Sequence, residues 1–122
     1  MENKIKILVV DDEKEACGLV AQYLGMKGYD ALTAYSAEEA LPIIKEQNPK
    51  IILLDIGLPG MSGTDLLKLV RQFNTTIKVA IVSGYAGDLR NDAQFKELNV
   101  SEFVEKPISF DTFDSVLGRL AK

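Results

Sequence analysis

The sequence predicts a doubly wound α/β domain: a (βα)5 three-layer sandwich around a parallel sheet of strand order 2-1-3-4-5. Uninterrupted apolar runs rich in β-branched residues, at 5–10, 51–54 and 79–82, read as strands buried on both faces. Two further strand candidates, 29–35 and 101–105, mix polar and apolar residues, as edge strands do. Segments of helical length lie between them, so strand and helix alternate five times. With right-handed crossovers, the two polar strands must flank the three apolar ones.

Each element has its own signal. The first strand runs from "ILVV" straight into "DDEKEA", and Gly28 marks where the following helix should stop. Ser36 and Glu39 form a capping box ahead of Ala40, Leu41, Ile43 and Ile44, with Pro42 expected to kink that second helix. The third strand closes on an aspartate in "IILLDIGLPG", and the fourth on a serine in "VAIVSGY". Residues 88–98 carry five charged residues and few apolar ones, which predicts a loosely packed, mobile fourth helix. The fifth strand leads into "FVEKPIS". After Ser109, residues Phe110, Phe113, Val116, Leu117 and Leu120 keep helical spacing, and Asp111 favours the first turn of a fifth helix.

A chain of 122 residues, 47% hydrophobic and 26% charged, suits one domain over 1–122 with a sizeable core, and no linker, repeat or low-complexity stretch divides it. The net charge is −4 and the basic residues are scattered, which argues against direct nucleic-acid binding. Cys17 is the only cysteine and histidine is absent, so disulfide frameworks, zinc sites and imidazole mechanisms fall away. No stretch has membrane-spanning length or signal-peptide layout, and a reducing, cytoplasmic setting is expected.

In an open parallel sheet, ligands bind beyond the carboxyl ends of the strands where strand order reverses, here between the first and third. Asp11 and Asp12 end the first strand, Asp55 the third, Ser83 the fourth and Lys106 the fifth. Singly, each has a plainer reading: Asp12 as a helix cap, Asp55 as a turn former, Ser83 with Gly84 as a turn pair, Lys106 as a loop lysine. Those readings give no reason for all of them to fall on one rim. Three crowded carboxylates need a counterion, and few, hard oxygen ligands suit Mg²⁺. A lysine and a hydroxyl facing that ion supply charge neutralisation and a donor for a transferred phosphoryl group, with Asp55 as nucleophile.

These residues together resemble the receiver domain of bacterial two-component response regulators, of the chemotaxis-regulator kind, over nearly the whole chain. The matching positions are Asp11, Asp12, Asp55 in "DIGLPGMSG", Ser83, and Lys106 with Pro107; Phe103 falls at the family's aromatic switch position, although an edge-strand core role for it stays open. The resemblance implies a flavodoxin-like fold and a phosphoacceptor at Asp55. It implies Mg²⁺ held by Asp12, Asp55 and the Gly57 carbonyl, with Asp11 acting through a water, and a cis peptide between Lys106 and Pro107. It also implies a phosphohistidine donor on a sensor histidine kinase or histidine phosphotransfer protein. Phosphorylation would draw in Ser83 and Lys106, let Phe103 move, and reshape the face of the fourth helix, fifth strand and fifth helix; hydrolysis would reset it. Gly57 should leave the site open and Tyr85 partly shield it, leaving the phosphoryl lifetime undetermined.

The chain would work through a downstream effector or a fused output domain, either free-standing or as part of a longer regulator. A Mg²⁺-dependent aspartyl phosphohydrolase is the rival. Such enzymes of the haloacid dehalogenase family place a second aspartate two residues after the nucleophile, where this chain has Gly57. A flavin or nucleotide carrier would want a phosphate-cradling loop where "DDEKEA" stands.

Overall fold

The computed structural model describes residues 4–121. Eleven elements follow in order: β1 Lys6–Val10, α1 Lys14–Met26, β2 Asp30–Ala34, α2 Ala37–Gln47, β3 Ile51–Asp55, α3 Gly63–Phe73, β4 Lys78–Ser83, α4 Ala86–Leu89, α5 Ala93–Glu97, β5 Glu102–Glu105 and α6 Phe110–Leu120. All strand pairs are parallel, and the sheet order is β2-β1-β3-β4-β5. The polar strands do stand at the two edges.

Alternation along the apolar runs builds two cores. Leu8, Val10, Ile52, Leu54, Val79 and Ile81 face α2 and α3, while Ile7, Val9, Ile51, Leu53, Ala80 and Val82 face α1 and α6. That is why these strands read as unbroken hydrophobic segments. Register then places the strand ends side by side: Val10 pairs with Leu54, Asp55 with Val82, and Ser83 with Glu105.

The helices stop and start where their caps dictate. Gly28 has φ +91°, the Gly28 N–H donates to the Gly25 carbonyl at 3.1 Å, and the Tyr29 N–H donates to the Leu24 carbonyl at 3.0 Å, closing α1 with a Schellman motif. Ser36 Oγ accepts the Glu39 N–H at 3.0 Å, and α2 continues through Pro42 to Gln47, with Asn48 as its C-cap.

Two expectations are revised. The single helix over 88–98 is instead two short ones, α4 and α5, because Asp92 caps the second by accepting the Gln94 N–H at 3.0 Å and the segment lacks a continuous apolar stripe. Phe95 is its buried anchor. Phe110, counted with the apolar face of the last helix, is 55% exposed and stacks on the Tyr23 ring at 4.2 Å.

Candidate functional site

At the carboxyl end of β1 the chain leaves the ladder at Asp11, whose N–H donates to the Ala34 carbonyl at 3.1 Å. Asp11 is buried, and its Oδ1 accepts the Glu13 N–H at 3.0 Å, so this residue, not Asp12, makes the turn into α1. Asp12 is left exposed, and the N-cap of α1 is Glu13, with no side-chain capping bond. At the end of β3, Asp55 Oδ1 accepts the Gly57 N–H at 2.9 Å, and Oδ2 receives the Lys106 ammonium at 2.8 Å. Lys106 Nζ also lies 3.4 Å from Asp11 Oδ2. One carboxylate oxygen from each of Asp11, Asp12 and Asp55 falls within 4.8 Å of the others.

The charge arithmetic decides what this cluster suits. Three carboxylates and one ammonium leave a local charge of −2. Each like-charged pair at this separation repels by roughly 3–4 kcal/mol at an effective dielectric constant of about 20. A single lysine does not offset all three. The donors are hard oxygens at an open edge, a set that fits a small divalent cation such as Mg²⁺. Burial by itself would lower the Lys106 pKa. The hydrogen bond and charge of Asp55, together with the charge of Asp11, outweigh it and hold the ammonium above its ordinary value.

Ser83, 4% exposed at the end of β4, accepts the Tyr85 N–H on Oγ at 3.0 Å, and its carbonyl accepts the Lys106 N–H at 3.0 Å. The hydroxyl-bearing strand end therefore holds the backbone of the lysine. The Lys106–Pro107 peptide is cis. Tyr85 is 72% exposed. A Cβ on Gly57 would sit 3.6 Å from Asp55 Oδ1, an ordinary contact.

Phe103 is half-buried on β5. It packs edge-on against Phe95 at 6.0 Å, the Arg90 guanidinium sits 5.9 Å over its ring, and Arg90 Nη2 donates to its carbonyl at 3.3 Å.

Three features were not found from the sequence. Gly63 packs so closely beneath Asp55 that a Cβ would lie 3.0 Å from the Asp55 carbonyl oxygen; a glycine at the start of a helix already capped by Ser62 was the available signal. Arg90 had no signal, being one charge among several. A groove of about 470 Å³ runs from Asp11 and Lys106 between Leu19, Val20, Ile108 and Phe110, elements far apart in the chain.

Residues 7–117 match the family model described as the response regulator receiver domain. The chain belongs to the response regulator receiver domain family. Receiver domains of this family serve two-component systems, in which phosphorelay proceeds through an aspartyl phosphate. This receiver domain is 33% identical over 106 residues to the sporulation initiation phosphotransferase F of Bacillus subtilis, covering 87% of this chain and 85% of that protein. It is 36% identical over 107 residues to the nitrogen assimilation regulatory protein NtrX of Azorhizobium caulinodans, covering 86% of this chain and 23% of that longer regulator. Among solved structures, the response regulator TrrA of Thermotoga maritima, in complex with Mg²⁺ and BeF, matches with TM-score 0.85 and 31% identity over 97% of this chain and 99% of that one. The receiver fold, with its sheet order, is thus common to this chain and its relatives. Among the described residues no helix is long and apolar enough to cross a membrane.

Proposed function

We propose that residues 1–122 form one cytoplasmic phosphoacceptor domain whose Asp55 takes a phosphoryl group from a phosphohistidine on a sensor histidine kinase or histidine phosphotransfer protein. An Asp55 oxygen attacks phosphorus, the P–N bond breaks, and the imidazole leaves. Water later attacks the same phosphorus, the P–O bond to Asp55 breaks, and inorganic phosphate and the carboxylate are regenerated. The observation that carries this reading is the Asp55 carboxylate itself: one oxygen is oriented by the Gly57 N–H, the other is held by Lys106, and two more carboxylates stand beside it.

Asp11, Asp12, Asp55 and the Gly57 carbonyl are the groups to hold Mg²⁺, which when bound neutralises charge on the phosphoryl oxygens. Everything else comes from the chain. Gly57 fixes the carboxylate plane through its N–H. Lys106, an ammonium held by Asp55 and Asp11 against the cost of burial, transfers its contact from Asp55 Oδ2 to the new phosphoryl oxygens. The Ser83 hydroxyl, whose oxygen accepts from Tyr85, keeps its proton free to donate to one of them.

As Ser83 moves toward the phosphoryl group, Phe103 follows into the space it leaves, and the face of α4, α5, β5 and α6 changes shape. A downstream effector or a fused output domain reads that face by its different affinity for the two states. The apolar groove bordered by Asp11 and Lys106 offers the donor protein a seat at the rim.

Incubation with Mg²⁺ and acetyl phosphate, followed by intact-mass measurement, should add one labile phosphoryl group per chain. Asp55→Asn should abolish the addition, as should removal of Mg²⁺ with a chelator. Labelling that survives Asp55→Asn would place the acceptor elsewhere.

A further inference from the structure

Glu38 stands on α2, outside the carboxylate cluster, and reaches across to the loop between β3 and α3. Its Oε2 accepts the Met61 N–H at 3.1 Å. Beneath the same carboxylate lies Gly60, with φ +73°, where a Cβ would come within 2.9 Å of Oε2. Two separate features, an accepted hydrogen bond and a left-handed residue without a side chain, therefore bring the loop against Glu38. This loop begins at Asp55 and includes Gly57, whose N–H orients the Asp55 carboxylate at 2.9 Å. With glycines at 57 and 60, its backbone has unusual conformational freedom to lose on ordering. Leu58 is buried, Met61 packs against the core and Gly63 is pressed under Asp55, and Glu38 adds a polar contact to this stretch from another element.

Resting on the reading of Asp55 and Gly57 as cation ligands, we propose that Glu38 is a positioning residue. It fixes the loop so that the Gly57 carbonyl and the Asp55 carboxylate are set in place before Mg²⁺ arrives. The ordering cost then falls on folding of the apoprotein and not on binding.

Hydrogen bond and charge separate in two variants, because Glu38→Gln keeps an acceptor without the charge and Glu38→Ala removes both. Mg²⁺ is titrated into each protein while the backbone amide resonances of Asp12 and Gly57 are followed by NMR. Glu38→Ala should weaken Mg²⁺ binding about fivefold, the equivalent of one hydrogen bond. Glu38→Gln should stay within about twofold of the parent, since an exposed charge at a distance contributes little. In Mg²⁺-free protein, the Gly57 and Met61 amides should shift in the alanine variant and hold their positions in the glutamine variant. The proposal is overturned if Glu38→Ala binds Mg²⁺ like the parent, or if Glu38→Gln weakens it as much as Glu38→Ala. Absence of saturable Mg²⁺ binding in the parent itself would overturn the cation reading of the cluster along with it.

Discussion

Asp55 has both carboxylate oxygens engaged and ends a strand that is paired on either side, whereas Phe103, two strands away, leans on helices of four and five residues and on one exposed arginine. The other helices run to 11 or 13 residues. Helices this short have almost no stability of their own and depend on what they pack against. Group transfer requires atoms held to a fraction of an ångström, and signalling requires a face that can be redrawn for little free energy. On the proposed function, the receiver domain separates the two demands along one sheet.

The widest test of that contrast compares two phenylalanines. Phe113 is fully buried against the sheet face that carries Val9 and Leu53 and lines the small void beside Asp11 and Asp55. Phe113→Ala should cost about 3–5 kcal/mol of unfolding free energy, because the surrounding strands and helices cannot collapse into the gap. Phe95→Ala removes a side chain equally buried but anchored in α5, and relaxation of that short helix should keep the loss at or below about 3 kcal/mol. Asp55 labelling should persist in Phe95→Ala. Equal losses in urea denaturation would mean the two regions are packed alike.

A smaller effect sharpens the picture of the rim. The Cys17 thiol, buried on α1 and donating to the Val9 carbonyl, is pushed up to about 11, first by burial and then by the charge of Asp11. The folded state thus holds this proton more tightly than the unfolded chain, whose ordinary value is 9.0. Its contribution is complete below pH 9 and is lost as pH rises through about 11. Parent protein should lose about 2–3 kcal/mol more than Cys17→Ala across that interval. Denaturant midpoints at the two ends of the range measure the difference. Parallel pH profiles would show that the thiol is less shielded than its position implies.

The smallest effect concerns Arg90. Arg90→Ala removes the cation over the Phe103 ring and the donor to its carbonyl, both at the surface, and should cost under about 1 kcal/mol. Even so, the amide resonances of β5 should shift while those of Asp11 and Gly57 stay in place. Shifts that spread to the rim would show the two regions to be more tightly joined than their contacts suggest.

How much of this was legible in the sequence depends on whether the controlling contacts were local. The central strands announced themselves, since burial on both faces leaves no room for polar residues in 51–54 or 79–82. The rim followed from strand polarity, because the sheet order puts Asp11, Asp55, Ser83 and Lys106 at one end whatever the details of the loops. Asp12 invited a reading as a helix cap, and the turn is made by Asp11 instead, a choice between adjacent identical residues that spacing cannot make. The division of the fourth helical segment was partly visible in Asp92, a good cap in mid-segment, but the surrounding charges hid it. Glu38 on the loop and Arg90 on Phe103 depend on long side chains crossing between elements, and no periodicity encodes such a reach.

The position of β5 has a mechanical consequence. Its ladder joins it to β4 alone, while β1 and β3, which deliver the aspartates, are each laced to two neighbours. β5 thus has a backbone ladder on one side only, where β3 has one on each. The sheet is therefore laced more tightly at its middle than at this margin, and in the proposed switch the strand that bears the ring is the one with fewer backbone partners to hold it.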